Sequence, residues 1–366
     1  MTQTYGSGKP PSRQKRLGSR LALMGYTFVV AFLLPAMLTP VDKPAALDAR
    51  PVALVSMVEE VGPASGPDYL SAAVSSTGFA RLQDLLPDPQ AACLPVDAPG
   101  RKLGQQAEID RLIGLTKQSP LGAWLLRQAA WRDVLICLDD TTTLNGYYRA
   151  GRQMIGIRSG LEEARRIAIL AHELAHVPQH PRFSNNRYFP PEDVILLHRM
   201  REAAAETVAT RVIWQLKERG YPAPWQAKAA TRFIDMIQSF EEAMAGERGY
   251  AAERRAARAA FATWFAARWR VNFYDQLIIG HIRHISEDDM GLVPPRRHLT
   301  DDFLRRLGWL DGENYLHPAG PDNLTEAPYR VTLSPRNADM LEAILTDAFG
   351  PMPGPFKPIP TQIASP

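Results

Sequence analysis

Apolar positions follow a helical period over most of the chain, and a strand-like pattern occurs in one region only. The run VLICLDD at 134–140 is apolar up to its two aspartates and predicts a short buried strand. The segment GYYRAGRQMIGIRSG at 146–160 predicts a strand pair or one long edge strand bounded by glycines. Apolar residues three and four positions apart predict helices at 68–86, 105–132 with a break at Ser119-Pro120, 191–219, 225–245, 249–285, 299–309 and 336–348. The pattern therefore predicts an α+β fold that is mainly α, with one small β-sheet.

A further helix is predicted between the small sheet and the helix at 191–219. Ser159 and Glu162 form the S-x-x-E pattern of a capping box, so this helix is expected to begin at Leu161. Pro178 has no N–H and crowds the carbonyl four residues earlier, so the helix is expected to end near Val177. Its last turns carry the letters HELAH.

The uneven distribution of charge changes the interpretation of the basic pI. The net charge is +3, but the first twenty residues carry five basic side chains and no acidic one, which leaves −2 for the remainder. A nucleic-acid partner is therefore not expected. Hydrophobic residues make up 45% of the chain and charged residues 22%, which predicts a packed core rather than global disorder.

Residues 21–40 contain no charged side chain and are long enough to cross a bilayer as a helix. The basic residues before this stretch predict that the N-terminus stays in the cytoplasm. We therefore predict a single-pass signal anchor in a bacterial inner membrane, with the remainder of the chain in the periplasm. A cleavable signal peptide is the alternative.

The HELAH motif has the residue types and the spacing of a zinc-binding helix. His172 and His176 lie four positions apart, so both imidazoles project from one helix face and can reach one Zn²⁺. Glu173 is turned by about a third of a revolution, which directs it toward a water molecule at the ion and suits it to act as the general base. The alternative is a helix with two solvated histidines.

A third protein ligand is expected downstream of the motif. Glu202 and Glu206 in REAAAE also lie four positions apart, and the alanines between them would let two helices approach closely. We predict Glu202 as the third ligand and Glu206 as a carboxylate that accepts a histidine N–H. The alternative is that both glutamates pair with Arg199 or Arg201 on the surface. Two further histidines are rival or supporting ligands, His180 and His198.

Tyrosine, histidine or arginine often stabilises the developing oxyanion in hydrolytic zinc sites. The candidates are Tyr274, His281 and His284 on the helix predicted at 249–285 and Tyr148 on the predicted strand. Each could instead be an ordinary core tyrosine or surface histidine.

HELAH followed by a helix with E-x-x-x-E resembles the gluzincin arrangement of thermolysin-like zinc peptidases. That resemblance implies a glutamate as the third ligand and an acidic residue four positions later beside a histidine; here a glutamate replaces the usual aspartate. Residues 105–285 more widely resemble an uncharacterised bacterial family of predicted metallopeptidases. The matching segments are SPLGAWLLRQAAWRDVLICLD, GYYRAGRQMIGIRSG, HELAHVPQ, REAAAE and a later helix ending in NFYDQ. The resemblance implies a zincin-like domain.

Taken together, the patterns predict a membrane-anchored zinc metallopeptidase that acts on a protein or peptide substrate. An extended substrate is expected to pair with the strand region at 146–158. A non-catalytic, zincin-like envelope scaffold is the alternative, and hydrolysis of a bond other than a peptide is a third possibility. The predicted organisation is a basic cytoplasmic tail at 1–20, a transmembrane helix at 21–40, a linker at 41–66, a zincin-like domain at 67–290, a C-terminal helical extension at 291–349 and a Pro-rich disordered tail at 350–366.

The chain has two cysteines, Cys93 and Cys137. In an exported domain they could form one disulfide. Alternatively, Cys137 is a buried thiol within the apolar run VLICL. The sequence leaves both possibilities open.

Overall fold

The computed structural model describes residues 92–350, apart from 99, 101, 141, 143, 184–188, 288–296 and 317–322. The side chains at 180–183, 284, 285 and 287 also lie outside this description. The predicted cytoplasmic tail, transmembrane helix and linker, the helix predicted at 68–86, and all but the first residue of the predicted Pro-rich tail fall outside the described residues. Among the helices of the described part, none combines the length and apolar character that a membrane span requires.

A small mixed sheet forms the β part of the fold. Its strand order is β1-β2-β4-β3; β2 and β4 run parallel, and each outer strand is antiparallel to its neighbour. The predicted strand pair is confirmed, since β3 and β4 are adjacent and joined by a short 3₁₀ turn. The strands are β1 Cys93–Pro95, β2 Leu135–Asp139, β3 Gly146–Arg149 and β4 Met154–Arg158.

The sheet carries a disulfide between Cys93 of β1 and Cys137 of β2, which are directly opposite each other. Of the two possibilities left open by the sequence, the structure therefore has the disulfide. Cys137 is also fully buried, so the burial expected from the apolar run VLICL is correct as well.

Ten helices account for most of the described residues. The pair that positions the site is α3 Glu163–Phe183 and α4 Pro191–Glu218, which pack against each other, while α3 also covers β3 and β4. Most of α4 is buried, because it runs through the centre of the helical layer. The other helices are α1 Gln105–Thr116, α2 Pro120–Ala130, α5 Ala223–Ala229, α6 Ile234–Met244, α7 Tyr250–Ala266, α8 Arg268–Glu287, α9 Asp301–Arg305 and α10 Pro335–Phe349.

The predicted break between α1 and α2 is confirmed with its cap. Ser119 Oγ accepts a hydrogen bond from the Gly122 amide at 3.0 Å and donates to Gln215 Oε1 at 2.6 Å. The first bond caps α2 and the second ties it to α4.

The prediction that the HELAH helix ends near Val177 is wrong, because α3 continues to Phe183. Pro178 removes one backbone hydrogen bond but does not end the helix. The side chain of the next residue, Gln179, accepts a hydrogen bond from His176 and donates one to the main-chain carbonyl of Arg201 on α4. The start of the helix at Glu163 is two residues later than the capping box predicted.

Two long predicted helices are each divided in the structure. The segment predicted at 225–245 forms α5 and α6, and Thr231 Oγ1 between them donates to the Lys228 carbonyl and accepts from the Phe233 amide. Such local bonds compete with continuous helix. The segment predicted at 249–285 forms α7 and α8, because Ala267 adopts an extended conformation.

The chain after α8 returns to the helical layer. Asp193 at the start of α4 accepts from the Leu299 amide at 2.9 Å and from Arg330 at 2.6 Å. This region, predicted as a helical extension, contains α9, α10 and a hairpin. The hairpin pairs two strands of two residues each, β5 Trp309–Leu310 and β6 Glu313–Asn314.

Candidate metal centre

The two motif histidines face each other on α3. Their Nε2 atoms are 3.1 Å apart, and the rings meet edge to face with centroids separated by 4.9 Å. Both side chains are 1% exposed. The four-residue spacing therefore brings two nitrogen ligands to one buried point, as the sequence predicted. Among the described residues, His172, Glu173 and His176 offer ligand atoms within 4.8 Å of one another.

Glu202 of α4 places one carboxylate oxygen beside each histidine. Oε2 lies 3.6 Å from His172 Nε2, and Oε1 lies 3.8 Å from His176 Nε2. The alanines that follow Glu202 are fully buried, which permits α3 and α4 to approach closely at this level. The result is two imidazoles and one carboxylate converging on one point, the donor set of a three-ligand zinc site.

The outer nitrogen of each imidazole also has a partner. His172 Nδ1 lies 3.4 Å from Glu206 Oε1, and His176 Nδ1 donates to Gln179 Oε1 at 2.8 Å. Gln179 in turn donates to the Arg201 carbonyl at 3.3 Å. Partners of this kind fix the orientation and tautomer of ligand histidines. Both Nε2 atoms are consequently directed inward.

Glu206 has a second, cationic partner that the sequence interpretation did not identify. Lys228 Nζ lies 2.5 Å from Glu206 Oε2, and the two side chains are 7% and 1% exposed. Burial raises the pKa of Glu206, but the positive charges of Lys228 and His172 outweigh it and lower that pKa to about 2. The alternative that both glutamates pair with arginines on the surface is therefore wrong, since Glu202 and Glu206 are buried. Arg199 instead forms a salt bridge with Asp275.

Glu173 lies directly beside the histidines and is fully buried. Within the described part of the chain, neither of its carboxylate oxygens has a hydrogen-bond partner. Burial raises its pKa well above the ordinary value; the charge of His172 lowers it, whereas those of Glu202 and Glu206 raise it. A carboxylate with raised pKa and no protein donor is suited to exchange a proton with a small molecule.

The electrostatics of the cluster fit a divalent cation. Three carboxylates are buried around two imidazoles. Glu206 is paired with Lys228, whereas both oxygens of Glu173 and Oε2 of Glu202 have no hydrogen bond from the described residues. Buried charge of this sign is costly unless a cation or proton compensates it. The donor types, two imidazoles and a carboxylate, are those that zinc prefers.

The two histidines have opposite pKa shifts. Burial lowers the pKa of His172, but the neighbouring carboxylates, Glu206 foremost, raise it to about 10. The pKa of His176 is well below its ordinary value because of burial and the charges of His172 and Arg201.

The oxyanion candidates differ in what surrounds them. Burial, and then the charges of Glu202, Glu206 and Glu173, raise the pKa of Tyr274 well above its ordinary value, against the charge of Arg270. Tyr148 donates to Gln153 at 3.2 Å. The pKa of His198 is lowered well below its ordinary value by burial and then by the charges of Arg201, His281 and Arg199.

His198 was predicted as a ligand or a supporting residue, and its ring packs on Tyr274 with centroids 6.1 Å apart. The side chains of His180 and His284 lie outside the described part, so neither prediction can be placed. Arg201 is 1% exposed and its pKa is lowered to about 10 by burial, against the charges of Glu202 and Tyr148. From the sequence, Arg201 is expected only as a surface partner of the glutamates, so its burial differs from that expectation.

Comparison with known proteins decides the family. A sequence model described as "Putative metallopeptidase family (DUF6782)" matches residues 82–317, which is more than half of the chain. The chain belongs to this metallopeptidase family. Neither a search of curated proteins nor a search of solved structures finds a match.

The matched range of this metallopeptidase family contains the histidines and glutamates of the cluster, from His172 to Glu206, as well as Tyr148, Tyr274 and His281. The buried His172-Glu173-His176 group is consistent with the HExxH motif of metallopeptidases. Gln179 and Lys228 had no distinguishing sequence signal. Gln179 follows a proline expected to end the helix, and Lys228 lies in an unremarkable segment twenty-two residues after Glu206.

Proposed function

We propose that this member of the family is a membrane-anchored, zinc-dependent metallopeptidase that hydrolyses peptide bonds. One observation carries the proposal: two inward-facing Nε2 atoms and the Glu202 carboxylate converge beside Glu173, whose own oxygens have no donor among the described residues. His172, His176 and Glu202 would hold the ion.

A bound Zn²⁺ would polarise the scissile carbonyl and lower the pKa of water at the site to about 7. Glu173 would accept a proton from the attacking water and deliver it to the leaving amine. Glu206 and Gln179 would keep the two imidazoles in their ligand orientation. Tyr274, whose pKa is raised by burial and by the charges of the three carboxylates, is the strongest of the predicted oxyanion candidates, followed by His281 and Tyr148.

An extended peptide would bind along β3, the outer strand of the sheet next to α3. All four residues of β3 are buried, as are Glu173 and the three ligands. An incoming strand would therefore require the surrounding chain to move. The burial of β3 and of the site is also the one observation that favours a second candidate, a non-catalytic zincin-like scaffold.

We also propose that the domain faces the periplasm, anchored by residues 21–40. The support is the charge-free stretch after a basic N-terminal tail, together with the Cys93–Cys137 disulfide. Disulfides of this kind persist in oxidising compartments.

Metal content tests the proposal. Full-length protein in detergent, loaded with zinc and then dialysed, is expected to retain about one equivalent. His172→Ala and Glu202→Ala are expected to retain less than about a tenth, because each removes a ligand. His298→Ala is the matched control, since that side chain is 77% exposed and outside the cluster.

Two results would contradict the proposal. One is a wild-type protein that retains less than about a tenth of an equivalent of zinc. The other is zinc retention that is the same in His172→Ala as in the wild type.

A further inference from the structure

We propose that Lys228 is a positioning residue of the metal centre, which it serves by holding Glu206 against His172. The inference rests on the proposed zinc site and extends it by one side chain. Lys228 lies on α5, outside the two helices that carry the ligands and Glu173. A series of side-chain contacts runs from Lys228 to Glu206 and on to His172, whose Nε2 faces the point where the proposed ligand atoms converge.

Glu206 divides its two oxygens between two partners. Oε2 lies 2.5 Å from Lys228 Nζ, whereas Oε1 lies 3.4 Å from His172 Nδ1. The carboxylate therefore bridges a lysine and an imidazole. Its rotation about the side-chain axis is set by Lys228, because the described residues bring no second donor to Oε2.

Lys228 is itself fixed at several points. Its Nζ also donates to the main-chain carbonyl of Glu206 at 3.3 Å, so the lysine hydrogen-bonds to both the side chain and the backbone of Glu206. The ammonium lies 5.6 Å from the centre of the Phe233 ring, and Thr231 Oγ1 donates to the Lys228 carbonyl at 2.6 Å. The lysine is 7% exposed, so little room is left for another rotamer.

A purely structural role is the competing explanation. A buried ion pair contributes little net stability, since the desolvation of both charges offsets their attraction. Stability alone therefore gives a weak reason for a lysine at this position. An orienting role gives a stronger one, because loss of an outer partner of a ligand histidine typically weakens metal binding by about 10–100-fold.

The experiment measures zinc affinity of the full-length protein by competition with a chelator. Lys228→Met is expected to bind zinc about 10–100-fold more weakly than the wild type, and Glu206→Gln is expected to show a loss of similar size. The double variant is expected to bind no more weakly than Glu206→Gln, because Lys228 acts through Glu206. Lys228→Gln, polar but one bond shorter, is expected to match Lys228→Met and serves if the methionine variant does not fold.

Arg211→Met is the matched control. Arg211 lies on α4, as Glu206 does, is 4% exposed, and pairs with Glu253 at 2.8 Å. The Arg211→Met substitution removes a buried cation from an ion pair elsewhere on the same helix. The zinc affinity of this variant is therefore expected to stay within about twofold of the wild type.

Three results would overturn the inference while zinc binding by the wild type stands. They are a Lys228→Met affinity within about twofold of the wild type, an equal loss in Arg211→Met, and fully additive losses in the double variant. Failure of the wild-type protein to bind zinc would instead contradict the proposed function, and this inference with it.

Discussion

At the scale of single residues, each histidine of the HELAH motif has one inward and one outward nitrogen. The outward Nδ1 atoms face Glu206 and Gln179, and the inward Nε2 atoms face each other at 3.1 Å. The pKa of His172 is raised and that of His176 is lowered, so we expect His172 to hold the proton that a bound ion would displace. Proton release and zinc binding are therefore coupled.

Zinc binding at pH 8 is expected to release at least about one proton per ion, because the pKa of His172 is raised to about 10 and its Nε2 must become free. His176 contributes none, since its pKa is lowered. Below the raised pKa of His172, apparent zinc affinity should rise with pH by about tenfold per unit. Calorimetric titration in two buffers with different ionisation enthalpies measures the release.

Glu206→Gln provides the control for this titration. It removes the charge that contributes most to raising the pKa of His172, so less proton release is expected at the same pH. Identical binding enthalpies in both buffers for the wild-type protein would show that no proton leaves, contrary to the expectation.

Helical spacing was enough to predict which candidate residues share a face, but not which residues the tertiary structure adds to them. His172 and His176, like Glu202 and Glu206, lie four apart on helices, so helical geometry alone predicts that each pair shares a face. Lys228 could not be predicted in this way. Its contact with Glu206 depends on how α5 returns to α4, which no local period encodes.

At the scale of elements, the site depends on the close packing of β3 against α3. A Cβ atom added at Gly146 would collide with Ile169 and lie 3.1 Å from Glu173 Oε1. Glycine at this position allows the strand to lie directly over Glu173, the proposed general base. The edge strand and the HELAH helix thus form one unit.

Gly146→Ala is expected to destabilise the protein by about 1–3 kcal/mol and to reduce turnover, because the strand must move away from Glu173. Gly156→Ala is the matched control: its Cβ would collide with the Tyr147 ring on the neighbouring strand, not with Glu173. Urea unfolding and peptide hydrolysis by the zinc-loaded proteins measure the two effects. Equal turnover losses in variants of equal stability would contradict a specific link between Gly146 and Glu173.

Helix ends were less predictable than helix faces. Pro178 gave a clear local signal for the end of α3, but the bonds from Gln179 to His176 and to Arg201 hold the next turn in place. At Ala267, by contrast, the sequence has no proline or glycine, yet the backbone is extended and separates α7 from α8. Tertiary contacts decided the first case; for the second the structure offers no local cause.

At the scale of the whole molecule, segments far apart in sequence enclose the cluster. Arg199 of α4 forms two bonds with Asp275 of α8 and donates to the Val331 carbonyl at 2.6 Å. Asp275 follows Tyr274, so this buried salt bridge fixes the part of α8 that carries the tyrosine, whose ring packs against His198 of α4. The mainly helical α+β class was predictable from periodicity, whereas this long-range enclosure was not.

The most direct test of the central claim is peptide hydrolysis by the full-length, zinc-loaded protein, measured by mass spectrometry on a mixed peptide library. The wild type is expected to cleave peptides, and Glu173→Gln is expected to retain its zinc but lose at least about a thousandfold in rate, because the amide cannot accept the proton. Glu192→Gln, at an exposed position, is the control with unchanged rate. Cleavage by Glu173→Gln at the wild-type rate, or no cleavage by a wild-type protein that holds zinc, would contradict the account.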